Sequence, residues 1–192
     1  MTDYCAIADV QMPGRLDIVG ANYDLSLSEL VTACSRWVDR YCKVPENGFA
    51  QSVAAIRYYG NGAVYANDLR LDAPLLSVTT LTNGNAAVLT SAQYRLLPRN
   101  ADYFSRIGLL SGSGWQWAVD GEIAVNGLWG MATTPPAPVK EATIMLAAWL
   151  FKRYLAGLQD ATANLDLGQL LYAKGMPEQV KTLLAGYRWT VL

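Results

Sequence analysis

The chain contains no histidine among its 192 residues. That absence removes the usual general base, the Ser-His-Asp triad, the Cys-His pair and nearly all zinc-binding patterns. Nucleotide and acyl-transfer fingerprints are missing as well. There is no G-x-x-x-x-G-K-[ST] loop, no G-x-G-x-x-G after a strand-like run and no G-x-S-x-G elbow. Ser111-Gly112-Ser113-Gly114 reads as a flexible turn, because neither a Lys-Ser/Thr pair nor a helix start follows to make it a phosphate cradle. Asp120 and Glu122 do not make a catalytic pair. The first belongs to a turn and the second points away from its strand neighbours, whereas a glycosidase needs facing carboxyls about 5–9 Å apart.

Cysteine and charge are scarce. Cys5, Cys34 and Cys42 form no C-x-x-C and are odd in number. Cys34 and Cys42 lie on one expected helix, about 12 Å apart along its axis. That is beyond disulfide reach, so reduced thiols are expected. Charged residues make up 16% of the chain and the net charge is −1. A basic face for sequence-specific nucleic-acid readout would tilt that balance. Residues 1–14 have neither a basic n-region nor a long apolar stretch, so a signal peptide is not expected. The apolar run Ile144–Phe151 is too short to span a bilayer.

What is present is a 52% hydrophobic chain, enough to bury a real core in one domain with an insertion. Residues 25–43 read as an amphipathic helix. Ser26 and Glu29 form an expected capping box. Leu30, Cys34, Trp37 and Tyr41 recur on one face as its core stripe, and Pro45, Asn47 and Gly48 stop it. From residue 52 to 130, β-branched and aromatic residues rise and turn signals recur. Asn83-Gly84 and Asp120-Gly121 each suggest a tight hairpin turn, giving an antiparallel sheet of about five or six strands. In the second hairpin Ile123 and Val125 share a face, and Trp115, Trp117 and Val119 share one on the partner strand.

Pro135, Pro136 and Pro138 close the sheet region, since each lacks a ladder donor, and Pro138 can open a helix. Ile144–Phe151 then leaves almost no polar face. Such a helix must be covered on most sides by its own domain or by another subunit, which singles out Trp149, Phe151, Lys152 and Arg153 as candidate subunit-interface residues. Residues 158–176 read as a loop or a short helix. A last helix starts near Pro177 and stops at Gly186. The tail Tyr187, Arg188, Trp189, Thr190, Val191 and Leu192 is unusually apolar for a terminus, which suggests docking on a partner. The expected fold class is therefore α+β. Residues 1–51 and 131–192 form a helical domain with N-terminal amphipathic, central apolar and C-terminal helices, and residues 52–130 form an inserted antiparallel β domain. Lying between helices that must pack together, the insertion is expected on the outside of any assembly.

Three stretches resemble the head–tail connector (adaptor) proteins of tailed bacteriophages. They are the capped helix LSELVTACSRWVDRYC, the segment YRLLPRNADYFSRI and, most specifically, IAVNGLWGMATTPPAPVKEATIMLAAWLFKRY. VKTLLAGYRW is similar to that family's closing helix and tail, whereas residues 158–176 match poorly. The resemblance implies a virion protein made in the host cytoplasm. It would form a ring homo-oligomer, usually a dodecamer, between the portal and a stopper or tail-completion protein. Genomic DNA would pass through the channel without sequence-specific binding. No catalysis, cofactor, metal or membrane is implied. It also implies that residues 187–192 reach the portal, so the tail is expected to be mobile in the free subunit. Tyr58, Tyr59, Trp115, Trp117 and Trp129 support a second reading, a module stacking sugars or single-stranded bases. A small enzyme with an unrecognised carboxylate site is a third.

Overall fold

The computed structural model describes residues 2–155, 161–164, 169–172 and 176–190. In chain order the elements are α1 (Ile7–Gln11), α2 (Asp24–Cys42), β1 (Ala55–Tyr59), β2 (Val64–Tyr65), β3 (Asp68–Thr82), β4 (Val88–Leu89), β5 (Tyr94–Leu97), β6 (Phe104–Leu109), β7 (Ile123–Trp129), α3 (Ala137–Leu155), β8 (Ala161–Asn164), β9 (Gln169–Tyr172) and α4 (Glu178–Leu184). The class is α+β. Two compact units emerge, Met1–Val38 with Pro135–Gly186 and Asp39–Thr134 with Tyr187–Leu192. The division differs from the expected one at both ends: the first boundary falls inside α2, and the C-terminal segment joins the sheet unit.

In the helical unit α3 supplies the centre. Val139, Ala142, Ile144, Leu146, Ala147, Ala148 and Phe151 are buried, and the buried Thr143 hydroxyl donates back to the Val139 carbonyl at 2.9 Å. Pro138 lies in the first turn, where its missing donor removes no helical bond. α4 packs on α3 through buried Val180 and Leu184. α1 is tied to α3 by the ion pair Lys140–Asp9 at 2.9 Å, and the turn after α1 by Arg15–Glu141 at 2.6 Å.

α2 departs from its expected reading in two ways. Its buried positions are Leu27, Val31, Cys34, Ser35, Val38, Asp39 and Cys42, whereas Leu30 and Tyr41 are half-buried and Trp37 is 36% exposed. The core stripe is thus rotated by roughly one residue, about 100°. Small polar groups can take core positions here because they are bonded. The Ser35 hydroxyl donates to the Val31 carbonyl and accepts the Tyr4 amide, at 2.8 and 3.1 Å. Asp39 accepts the Asn47 amide at 3.0 Å. The Ser26–Glu29 capping box does not form, because the helix already starts at Asp24 and the Leu27 amide is taken by the Tyr23 carbonyl at 2.8 Å. Residues 158–176, expected as loop or short helix, contain the antiparallel pair β8–β9, with Ala161 opposite Tyr172 and Asn164 opposite Gln169.

The second unit is a seven-stranded antiparallel sheet of order β1-β7-β3-β6-β5, with β2 and β4 paired to the ends of β3. β7 alternates buried and half-buried residues along its whole length, the period-2 pattern of a strand with one core face. Ile123, Val125 and Trp129 meet Leu69, Leu71, Leu75, Leu81 and Ile107 in the core. β3 contains Pro74, which cannot donate to a ladder. The register shifts around it, between Arg70 and Leu75 and again between Leu75 and Ser77, and the Pro74 carbonyl accepts the Gly130 amide at 2.8 Å.

Neither expected two-residue hairpin forms. β3 and β4 are joined by residues 83–87, with the positive φ at Ala86. Asp120 does take a positive φ of 58°, in a turn closed by the Gly121 amide on the Ala118 carbonyl, but residues 115–119 make no strand beside β7. β7 instead pairs with β1 and β3. The reason is Asn83, which is 2% exposed. Its Nδ2 donates to the Gly114 carbonyl, and its Oδ1 accepts the Gly84 and Gln116 amides, all at 3.0 Å. The Ala118 amide donates to the Gly84 carbonyl at 3.1 Å, and a Cβ on Gly84 would stand 2.8 Å from the Trp117 ring. The 114–118 segment is therefore laid across the β3–β4 turn. Asn83→Ala is expected to lower the stability of the sheet unit by about 1–3 kcal/mol, since the buried Gly84 amide and the part-buried Gly114 carbonyl and Gln116 amide lose their partner. Urea unfolding measures this.

No helix among the described residues is long and apolar enough to cross a membrane.

Candidate functional site

The surface of α3 is the first place to look, because its stretch Ile144–Phe151 has almost no polar face and must be covered on most sides. At 100° per residue, Met145, Trp149 and Lys152 lie on one side of the axis, while Leu150 and Tyr154 lie on the other. The first side floors a groove of about 500 Å³, lined by Ile144, Met145, Ala148, Trp149 and Lys152 and bounded by Arg15, Glu141, Pro177 and Gln179. The Arg153 guanidinium sits 4.8 Å above the Trp149 ring, an i,i+4 cation–π contact that holds the indole in place. The second side borders a groove of about 450 Å³ lined by Ser26, Glu29, Leu30 and Ala33 of α2 with Leu150, Phe151 and Tyr154. Tyr154 stands 59% exposed there.

Of the four residues expected at a subunit interface, Trp149 and Lys152 share the first groove and Arg153 braces Trp149. Phe151 differs: it is 1% exposed and meets Tyr23 edge-on at 5.3 Å, so its ring belongs to the unit's interior. The second groove and Tyr23 had no sequence signal, because a pattern of apolar residues does not say which of them the fold leaves uncovered.

The C-terminal segment corrects an expectation. Instead of being mobile, residues 187–189 are packed into the sheet unit. The Trp189 amide donates to the Cys42 carbonyl at 2.7 Å, pairing one of the carbonyls left over at the end of α2. Trp189 is 5% exposed and lies 6.0 Å from the Tyr103 ring. Tyr187 stands edge-on to Phe49 at 5.8 Å, and the Arg188 guanidinium covers Tyr41 at 5.2 Å. A large aromatic gains more from a socket in its own fold than from solvent. Thr190 is exposed, and Val191 and Leu192 lie outside the described residues.

The aromatic platform of the second reading is not assembled. Trp115 donates its Nε1–H to the Asn67 carbonyl at 3.1 Å, and both Trp115 and Trp117 pack against the sheet core. Trp129 is buried, donates to the Ala55 carbonyl at 2.9 Å and carries the Arg57 guanidinium 5.0 Å above its ring. Tyr59 is buried and donates to Asp72 at 2.5 Å; burial first, then that bond, pushes its hydroxyl pKa up. Tyr58 alone of the five is largely exposed, at 61%.

The reactive groups are quiet as well. Burial pushes the thiols of Cys5, Cys34 and Cys42 up to about 12, and none is bridged. Asp9 is held below the usual carboxylate range, mainly by its bond to Lys140. Asp120 and Glu122 are both exposed. No cluster of metal-ligating side chains occurs among the described residues.

The sequence matches no protein-family model, and no curated protein matches it significantly. Solved structures do match. One is a chain of the neck of an empty gene transfer agent (GTA) particle computed with C6 symmetry. It is 17% identical, with a TM-score of 0.59 over 100% of this chain and 96% of that one. Another belongs to the virion of a native GTA particle, 17% identical with a TM-score of 0.63 over 97% of this chain and 88% of that one. A third lies in the neck of a native GTA particle computed with C12 symmetry, again 17% identical, with a TM-score of 0.57 over 100% and 96%. At this identity the likeness is one of fold, and it extends over essentially the full length of both partners.

Proposed function

We propose that this chain is a structural neck protein of a tailed phage-like virion, a ring-forming head–tail connector and not a catalyst. The observation that carries the reading is the end-to-end fold match to a chain of a particle neck, joined to the connector-like stretches of the sequence. The C6 and C12 symmetries with which similar necks were computed support a ring, and the twelvefold one is compatible with a dodecamer. In this reading the ring extends the DNA channel between the portal and the stopper or tail-completion protein, with the sheet unit toward its periphery. The net charge of −1 suits a channel wall, because a strongly cationic lining would hold phosphates and retard the passing duplex. No cofactor takes part.

The C-terminal residues 187–192 remain the proposed portal contact, in a revised form. With Tyr187 and Trp189 engaged inside the sheet unit, the outward groups of the described tail are Arg188 and Thr190. Docking then adds a partner to a preformed surface and needs no prior ordering of a free tail.

The test is negative-stain imaging of the purified protein, alone and mixed with portal rings. Closed rings stacked coaxially on the portal are expected. A protein that stays monomeric at every concentration and never attaches to portals would overturn the reading.

A further inference from the structure

We infer that α3 is shared between neighbouring copies of this chain: the exposed Tyr154 ridge of one subunit enters the Met145–Trp149–Lys152 groove of the next. The assignment rests on the ring reading above and names the surfaces that would close the ring.

Three observations carry it. The first is position. Met145 and Tyr154 are nine residues apart, which places them on opposite sides of the helix, about 180° around its axis. A two-fold contact uses one patch twice, whereas a ring needs two different patches facing different neighbours. One helix here presents both. The second is shape and polarity. The groove is floored by Ile144, Met145 and Ala148, and the ridge offers the large Tyr154 side chain, 59% exposed, with Leu150 beside it. Each is what the other lacks. The third is charge. Exposed Lys152 stands at the groove, where the charge of Arg15 is already met by Glu141 at 2.6 Å. On the ridge side, exposed Glu29 of α2 lines the hollow beside Tyr154. A head-to-tail contact brings the cation of one copy to the carboxylate of the next. It also accounts for the missing polar face of α3: one apolar side serves the subunit's core and the others serve two neighbours.

Charge reversal tests the pairing. Lys152→Glu and Glu29→Lys, both at exposed positions, are each expected to leave the subunit's circular dichroism unchanged and to lower ring formation at least about tenfold in sedimentation velocity. The double variant is expected to restore it. A second measurement does not depend on charge. Met145→Cys combined with Tyr154→Cys should give, on mild oxidation of assembled rings, a ladder of disulfide-linked multimers, since the three native thiols are buried and unreactive. Rings that form normally with either single reversal and give no ladder would overturn the surface assignment while leaving the ring reading intact. A wild-type chain that forms no ring, alone or on portals, would remove the ring reading and this assignment with it. Loss in both single variants without rescue in the double would show that the two charges do not face each other.

Discussion

Leu146→Asp is expected to yield no folded subunit. Leu146 is 4% exposed at the centre of α3, flanked by Ile144, Ala147 and Phe151 at 2% or less. Deleting a buried leucine side chain typically costs about 2–5 kcal/mol. An unpaired carboxylate in its place adds several kcal/mol, or stays protonated at comparable cost. Together these approach the whole stability of a domain, about 5–15 kcal/mol. The protein should collect in the insoluble fraction or lack a cooperative thermal transition. Leu146→Met keeps volume and polarity and should cost less than about 1.5 kcal/mol. A soluble, ring-forming Leu146→Asp protein would show that α3 is not the centre of its unit.

Trp189→Ala is expected to destabilise the sheet unit by about 3–5 kcal/mol, the usual range for emptying a buried tryptophan site. The same packing predicts that truncation before Tyr187 harms folding, because it removes both aromatics and the amide that pairs with the Cys42 carbonyl. Trp189→Phe should be much milder, since the indole Nε1–H finds no acceptor among the described residues. Trp129→Phe forfeits a bond to the Ala55 carbonyl and should cost about 1 kcal/mol more on that account. Thermal unfolding followed by circular dichroism separates these cases. An unchanged midpoint for Trp189→Ala would mean that the tail is not held by its own fold. Portal docking is then probed without disturbing the fold by removing only Val191 and Leu192 and measuring attachment to portal rings in a pull-down.

The sequence by itself determined the α+β class, the proline boundary before α3, the burial of that helix and the core face of β7. Each is a short-range pattern: a period of two or of 3.6, or a residue that lacks a donor. It also carried the likeness to head–tail connectors, in stretches that the fold places in α2, in β5 with β6, and in β7 with α3. Only the tertiary structure decided which α2 residues are core, because buried Ser35 and Asp39 are admitted by partners far along the chain or beyond the helix end. It decided against both two-residue hairpins, because Asn83 binds Gly114 and Gln116, about thirty residues away, as shown by its Nδ2 and Oδ1 bonds. It placed Trp189 inside the sheet unit and Phe151 inside the helical one, where composition had marked both as partner-facing. Hydrophobicity fixes that such side chains leave water. Which surface covers them depends on the three-dimensional neighbours the rest of the chain brings within reach.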